Sequence, residues 1–262
     1  DLELIDLGLD KHALNGAIQK RNNKWHTQDL LWTFGNNTAY LTSSKNGHMN
    51  IKADELNTEG LAYILSSPLV LEGQLQSKTI TLPFGPLKDV SGRYSINDNH
   101  ISVSRFKSTF YEGSLKSRLM SFTQLDNTIN LVGAFQAGGV HLNNWTWLHK
   151  QFQAHLEGSL YATLNLETNF DESGTLSQWK GDGDVILYNG GWLLDSKNIK
   201  ADKLELSLRK REQFSGTLKV KNDKQQGSGK LTVDENALTT GYFQWDKKKY
   251  KLSNDWPLIQ YE

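Results

Sequence analysis

Short stretches in which apolar residues occupy every second position, separated by glycine-containing turns, recur between residues 110 and 192. In residues 160–167, for example, Leu160, Leu164 and Leu166 lie on one side of an extended chain, and polar residues dominate the other side. This is the period of a β-strand and not of a helix. The sequence therefore predicts many strands, each with one apolar face, joined by tight turns.

The same alternation continues after residue 192. Its apolar positions include Leu204, Leu206, Leu208, Leu218, Val220, Leu231 and Val233. In the first part of the chain, Asn46-Gly47 and the segment 97–99 carry turn residues between alternating stretches and predict two hairpins. Turns spaced about ten residues apart favour a meander of sequential strands.

Helical spacing is rare in this chain. In residues 144–156, Trp145, Leu148, Phe152 and Leu156 recur every three or four positions, which predicts an amphipathic helix packed over one end of a sheet. A second helix-like interval covers residues 54–66, although Gly60 weakens it. Residues 175–179 are predicted to form a single helical turn. The expected fold class is thus mainly β with one or two short helices.

No arrangement of residues points to catalysis, a metal or a cofactor. The chain has no Cys, and His149 and His155 are six positions apart, so they do not share a helical face for a metal ion. Neither a Gly-x-Ser-x-Gly motif nor a His-Glu-x-x-His motif is present. The segment 181–184 predicts an ordinary β-turn, because the repeated glycine-aspartate array of calcium-binding turns is missing. We therefore expect a protein that is not an enzyme and has no cofactor.

The charge of the chain is balanced. Its 29 basic and 29 acidic residues cancel, so no general attraction for nucleic acid is expected. The segments 209–211 and 247–249 are local basic clusters, predicted at strand ends or hairpin tips. No apolar run approaches the roughly 18 to 20 residues that span a bilayer. Because the sequence begins at Asp1 without Met, we expect a mature or excised segment.

Strands with one apolar face need something to cover that face, and the sequence supplies few helices for the purpose. Two sheets can close on each other as a β-sandwich, or a curved sheet can leave an apolar trough. An open trough is unfavourable in water by about 25 cal/mol per Å² unless an apolar ligand fills it. Lipid acyl chains are suitable ligands, and both solutions remain open at this point.

Four motifs follow one another in a characteristic order and spacing. They are Phe110-Tyr111-Glu112-Gly113-Ser114-Leu115, Gly139-Val140-His141-Leu142, Leu156-Glu157-Gly158-Ser159-Leu160 and Tyr188-Asn189-Gly190-Gly191-Trp192. This order resembles the C-terminal region of the AsmA-like proteins, a family of bacterial envelope proteins that includes TamB-type relatives. The resemblance is best over residues 69–194. It lies in turns and strand positions, so it carries over no catalytic residue.

The resemblance implies a curved antiparallel β-sheet or half-barrel-like groove in a single elongated domain, residues 1–262. It implies a periplasmic protein that takes part in phospholipid transport between the inner and outer membranes and in outer-membrane assembly. Such proteins are held in the inner membrane by an N-terminal helix, so an anchor would be missing from this chain. Phospholipid or another lipid is the implied partner, together with envelope membranes and envelope proteins.

The implied lipid groove is lined by the alternating apolar residues. The candidates are Leu160, Leu164, Leu166, Leu204, Leu206, Leu208, Leu218 and Val220. The alternative is a closed β-sandwich that acts as an interaction module of an envelope or secretion assembly and recruits a partner by strand addition.

Overall fold

The structure is a computed structural model. It describes residues 12–22, 24–66, 70–97, 99–126, 128–151, 156–171, 176–194, 197–210, 214–223, 225–233, 239–245, 247–252 and 260–261.

Strands make up most of the described chain. The first nine are β1 (His12–Asn15), β2 (Gln19–Arg21), β3 (Lys24–His26), β4 (Leu30–Phe34), β5 (Asn37–Ser43), β6 (Met49–Asn57), β7 (Leu71–Leu82), β8 (Gly85–Asn97) and β9 (His100–Phe110). The next ten are β10 (Gly113–Leu125), β11 (Thr128–His141), β12 (Glu157–Phe170), β13 (Leu176–Leu194), β14 (Lys197–Lys210), β15 (Phe214–Lys221), β16 (Gln226–Val233), β17 (Thr239–Trp245), β18 (Lys248–Leu252) and β19 (Gln260–Tyr261). The helices are α1 (Thr58–Leu65) and α2 (Thr146–Gln151), the latter preceded by a 3-10 turn, Leu142–Asn144.

Seventeen strands belong to one sheet, and β2 and β3 form a separate pair. Strands β4 to β9 pair in chain order, β1 pairs with β4, and β9 pairs with β10. Strands β13 to β19 also pair in chain order, each antiparallel to the next. The prediction of a mainly β meander with few helices is confirmed. The described strands do not divide into the two large sheets that a sandwich would require.

One pairing departs from the expected antiparallel order. Strand β6 pairs parallel to β7, with Ile51 opposite Leu75. A parallel pair requires a crossover connection, and here α1 supplies it. The Asn57 side chain caps this helix by accepting a hydrogen bond from the Gly60 backbone N–H at 3.0 Å. The helix-like interval predicted at 54–66 therefore begins later, because its first residues extend β6.

Contacts group the chain into two compact units. The first comprises Asp1–Phe110, Lys116–Gly133 and Asn169–Leu176, and the second comprises Tyr111–Leu115, Ala134–Thr168 and Ser177–Glu262. The first unit has a core of its own, which includes Phe34, Leu65 and Phe106, each at most 2% exposed. The single-domain organisation implied by the resemblance stays a prediction.

The helices differ in part from the sequence-based prediction. Helix α2 occupies Thr146–Gln151 within the predicted interval 144–156, and Phe152 and His155 lie outside the described residues. The single helical turn predicted at 175–179 is wrong, because the described part of that segment belongs to the long strand β13. Short apolar runs fit either period, and here pairing with neighbouring strands decides the conformation.

Candidate functional site: the apolar sheet face of the second unit

The predicted groove residues occupy one face of the sheet in the second unit. Leu206 lies opposite Val185 on β13 and opposite Leu218 on β15. Leu204 lies opposite Leu187 on one side and Val220 on the other. Because alternate residues of a strand point to the same face, these leucines and valines share one surface with the apolar residues of β16, β17 and β18. We call this surface the apolar face.

Most of the apolar face is filled by the side chains of the chain itself. Four of the candidates are buried: Leu204, Leu208, Leu218 and Val220 are 8%, 7%, 1% and 2% exposed. They belong to one cluster whose other members include Leu187, Leu231, Phe243, Trp245 and Tyr250. This part of the face is thus a packed core.

Glycines provide the space for the aromatic rings of that core. Gly227 lies opposite Trp245, and Gly229 lies opposite Phe243. A Cβ atom on Gly227 would stand 2.5 Å from Trp245 Cε3 and 2.7 Å from Phe243 Cζ. The two rings stack with centroids 6.2 Å apart. The rings therefore lie over backbone where neighbouring strands would otherwise place side chains.

The segment that contains α2 covers one end of this core. Trp145, Leu148 and Leu156 are half-buried and pack against the cluster. The Trp145 ring stacks on Tyr111 at 5.8 Å and on Trp147 at 6.1 Å between centroids. The predicted packing of Trp145 and Leu148 over the sheet is confirmed.

The remaining four candidates are half-buried. Leu160 and Leu206 pack against the cluster, whereas Leu164 and Leu166 are not among the residues that do so. We call Leu160, Leu164, Leu166 and Leu206 the leucine strip. The structure thus separates the eight predicted residues into a packed group and a more accessible group.

Two glycines of β13 adjoin the leucine strip. A Cβ on Gly183 would overlap the Thr163 carbonyl oxygen, and one on Gly181 would stand 2.6 Å from the Asn165 carbonyl oxygen, so these glycines let the β12 backbone lie close to β13. On its other side, Gly183 lies opposite Leu208. Leu164 and Leu208 therefore lie on either side of Gly183, which adds no side chain between them. We call this stretch of backbone without side chains the glycine slot.

The glycine slot corrects one sequence-based prediction. Gly181 and Gly183 were expected to form a β-turn, but they lie inside β13. Glycines two positions apart face the same side of a strand, so the spacing of Gly181 and Gly183 was a signal for a surface without side chains. The pair Gly227 and Gly229 carries the same signal and serves the packed core.

Charged groups in this region lie on the opposite side of the same strands. Asp184 accepts hydrogen bonds from Ser207 Oγ at 2.6 Å and from Arg209 Nη2 at 2.9 Å. The Ser207 hydroxyl, and then Arg209, hold the pKa of Asp184 below its usual value. Lys203 and Glu205 form an ion pair that raises the lysine pKa and lowers the glutamate pKa. None of these four charged residues therefore lies on the apolar face, where it could pair with a charged group of a ligand.

The described residues contain no arrangement suited to metal binding. No group of three His, Asp, Glu or Cys side chains among them is placed to hold a metal ion. His141 Nδ1 lies 3.6 Å from Glu112 Oε2 at the surface, and His149 Nε2 lies 3.0 Å from the Leu156 carbonyl oxygen. Within the described residues, no helix is long and apolar enough to cross a membrane.

Comparisons with protein-family models, with curated proteins and with solved structures found no match.

Proposed function

We propose that this protein holds lipid acyl chains on the apolar face of its second unit and takes part in phospholipid transport between the inner and outer bacterial membranes. The observation that carries the proposal is the leucine strip beside the glycine slot. Leu164 and Leu166 are half-buried and flank backbone that has no side chains of its own. An acyl chain laid there would cover apolar surface that water now contacts.

Burial of apolar surface supplies the driving force for such binding. Each methylene group removed from water contributes about 0.8 kcal/mol. The slot offers backbone and leucine side chains and no described carboxylate or ammonium, since the charged groups of β13 and β14 face the other side. This composition favours an acyl chain over a polar ligand. The lipid headgroup would remain in water.

The resemblance to the AsmA-like proteins supports the cellular setting of this proposal. In that setting the chain is the periplasmic part of a protein anchored in the inner membrane, and it contributes to outer-membrane assembly. The leucine strip and the glycine slot both lie within the segment 69–194 except for Leu206 and Leu208. The part of the chain that resembles the family and the part that carries the proposed site therefore largely coincide.

One observation favours a second candidate, the interaction module. Leu204, Leu208, Leu218 and Val220 are buried by the protein's own side chains, so this portion of the face needs no ligand. A protein whose apolar face is filled entirely by its own side chains would bind protein partners through other surfaces. The two candidate functions therefore differ in one respect: lipid covers the leucine strip in the first and does not in the second.

Lipid that stays with the purified protein distinguishes these candidates. Native mass spectrometry and lipid extraction of wild-type protein from a bacterial host should show bound phospholipid. Leu164→Asp should abolish it, because an ionised carboxylate at the slot costs several kcal/mol to desolvate or excludes the chain. Asn165→Asp, on the outward side of the same strand, should retain it. Folded wild-type protein without lipid would favour the interaction module.

A further inference from the structure

The outward face of the last strands is rich in lysine. Lys219, Lys221, Lys230, Lys249 and Lys251 are all exposed and point away from the apolar face. We call them the lysine face. The strands β15, β16, β17 and β18 contain no Asp or Glu. Acidic residues do occur on β13 and β14, where Asp184 pairs with Arg209 and Glu205 pairs with Lys203.

Strand register places these lysines close together. Lys219 lies opposite Ser228, which lies opposite Gln244 and then Lys249. In the adjacent row, Lys230 lies opposite Tyr242, and Tyr242 lies opposite Lys251. Rows on one face of a strand are two residues apart, about 7 Å. The positive charges therefore cover a patch four strands wide.

A depression adjoins the patch and adds further lysines. It has a volume of about 840 Å³, and Lys203, Lys219, Lys221, Lys247, Gln226 and Gln244 contribute to its lining. Lys221 and Lys247 form no ion pair with another described residue. Among the described residues of the lining, the single carboxylate is that of Glu205, which pairs with Lys203. Several ammonium groups thus line this concave surface, and its one described carboxylate is already in an ion pair.

Tyrosines on the same side suit a membrane interface. Tyr242 is 41% exposed, and the Lys249 ammonium lies 4.9 Å from the centre of its ring. Tyr188 is 40% exposed, with the Lys203 ammonium 5.9 Å from its ring centre. Tyrosine and lysine together favour the headgroup region of a bilayer, where a ring and an ammonium both find suitable surroundings. Strands β15 to β18 contain no Arg, the residue that dominates bidentate recognition of nucleic acid.

From the charge, the register and the tyrosines we infer that the lysine face docks on the phosphate headgroups of an anionic lipid surface. The occupant is a membrane, and the attraction is between ammonium groups and lipid phosphates. This inference is separate from the acyl-chain proposal, because it concerns the opposite side of the sheet. Failure of one therefore leaves the other standing.

Vesicle flotation with the purified chain tests the inference. The protein should float with vesicles that contain phosphatidylglycerol and should not float with vesicles of phosphatidylcholine alone. Each lysine near an anionic surface tightens binding about fivefold, so Lys219→Gln, Lys230→Gln and Lys249→Gln together should weaken it about 100-fold. High salt should weaken wild-type binding, since the screening length falls from about 10 Å at 0.1 M to about 3 Å at 1 M.

A matched triple variant tests whether binding depends on the lysine face or only on the total charge of the protein. Lys88→Gln, Lys107→Gln and Lys116→Gln remove the same three charges from exposed positions in the first unit, and should change binding less than about threefold. Equal loss in both triple variants would overturn the inference. So would equal flotation with neutral vesicles, or no flotation at all. Displacement by millimolar inorganic phosphate, or tighter binding to a duplex oligonucleotide, would replace the membrane with a soluble phosphate or a nucleic acid and also overturn it.

Discussion

At the scale of single residues, glycine and aromatic side chains work together on the apolar face. Gly227 and Gly229 lie across from Trp245 and Phe243, so the rings cover backbone that has no side chain. Protein interiors are packed densely enough that one added methyl group is felt. The position of the Phe243 ring in the core therefore depends on the absence of a side chain at Gly227.

Gly227→Ala should destabilise the second unit by about 1–3 kcal/mol, because its Cβ would overlap the rings of Trp245 and Phe243. The measurement is the midpoint of urea unfolding followed by circular dichroism. Gly138→Ala is the matched control, since the nearest atom to its Cβ is the Ser114 hydroxyl oxygen at 3.2 Å. Equal midpoints for Gly227→Ala and wild type would show that the rings do not rest on this glycine.

Leu218→Ala tests the packed part of the face. Leu218 is 1% exposed, so truncation should leave a cavity and cost about 2–5 kcal/mol of unfolding free energy. Leu119 is 56% exposed, and Leu119→Ala should change stability by less than about 0.5 kcal/mol. Chemical denaturation of both variants provides the comparison. A small effect at Leu218 would mean that this position is open to water and not part of a packed core.

At the scale of elements, each unit places one short α-helix against its own core. In the first unit, Ile64 and Leu65 of α1 are buried, and Gly60 faces the Asn37 side chain. A Cβ on Gly60 would stand 2.6 Å from Asn37 Cγ. The glycine that weakened the helix prediction thus allows α1 to approach Asn37 on β5. Tertiary packing here outweighs the low helix propensity of Gly60.

Asn57 connects α1 to the sheet and carries the next prediction. Its side-chain oxygen accepts hydrogen bonds from Gly60 N–H and from Asn37 Nδ2, and its backbone N–H donates to Asn37 Oδ1 at 2.9 Å. Asn57→Ala removes the cap and leaves the Asn37 amide without this acceptor, so we expect a loss of about 1–3 kcal/mol in thermal or urea unfolding. Asn36→Ala removes only an exposed hydrogen bond to Glu59 and should be nearly neutral. Similar losses in the two variants would contradict this role for Asn57.

Much of the element order was predictable from the sequence. Alternation identified the strands that contain Leu164, Leu206 and Leu218, and the Asn46-Gly47 turn does join β5 to β6. The parallel pairing of β6 and β7 was not predictable, because alternation does not specify strand direction. The glycine slot was missed since Gly181 and Gly183 flank an aspartate, a pattern that also fits a turn. Strand pairing, which depends on residues distant in the sequence, decides both the direction of β7 relative to β6 and the strand conformation of Gly181 and Gly183.

At the scale of the whole molecule, the central question is what covers the apolar side of the sheet. The first unit covers its own with α1 and residues such as Phe34 and Phe106. The second unit fills the surface around Leu218 and Phe243 and leaves the leucine strip half-buried. We assign lipid to that strip and a membrane surface to the lysine face. In the alternative, the protein is an interaction module of an envelope or secretion assembly, and the leucine strip holds no lipid.

Site-specific photocrosslinking in the periplasm of a bacterial host tests the central claim most directly. A photoreactive residue replaces Leu164 or Leu206 on the strip, Asn165 on the outward side of β12, or the exposed Leu119 in the first unit. Circular dichroism confirms that each variant is folded. The account predicts phospholipid adducts at positions 164 and 206 and far fewer at positions 165 and 119. Folded protein that captures no lipid at 164 or 206, or captures it equally at 165, would contradict the account.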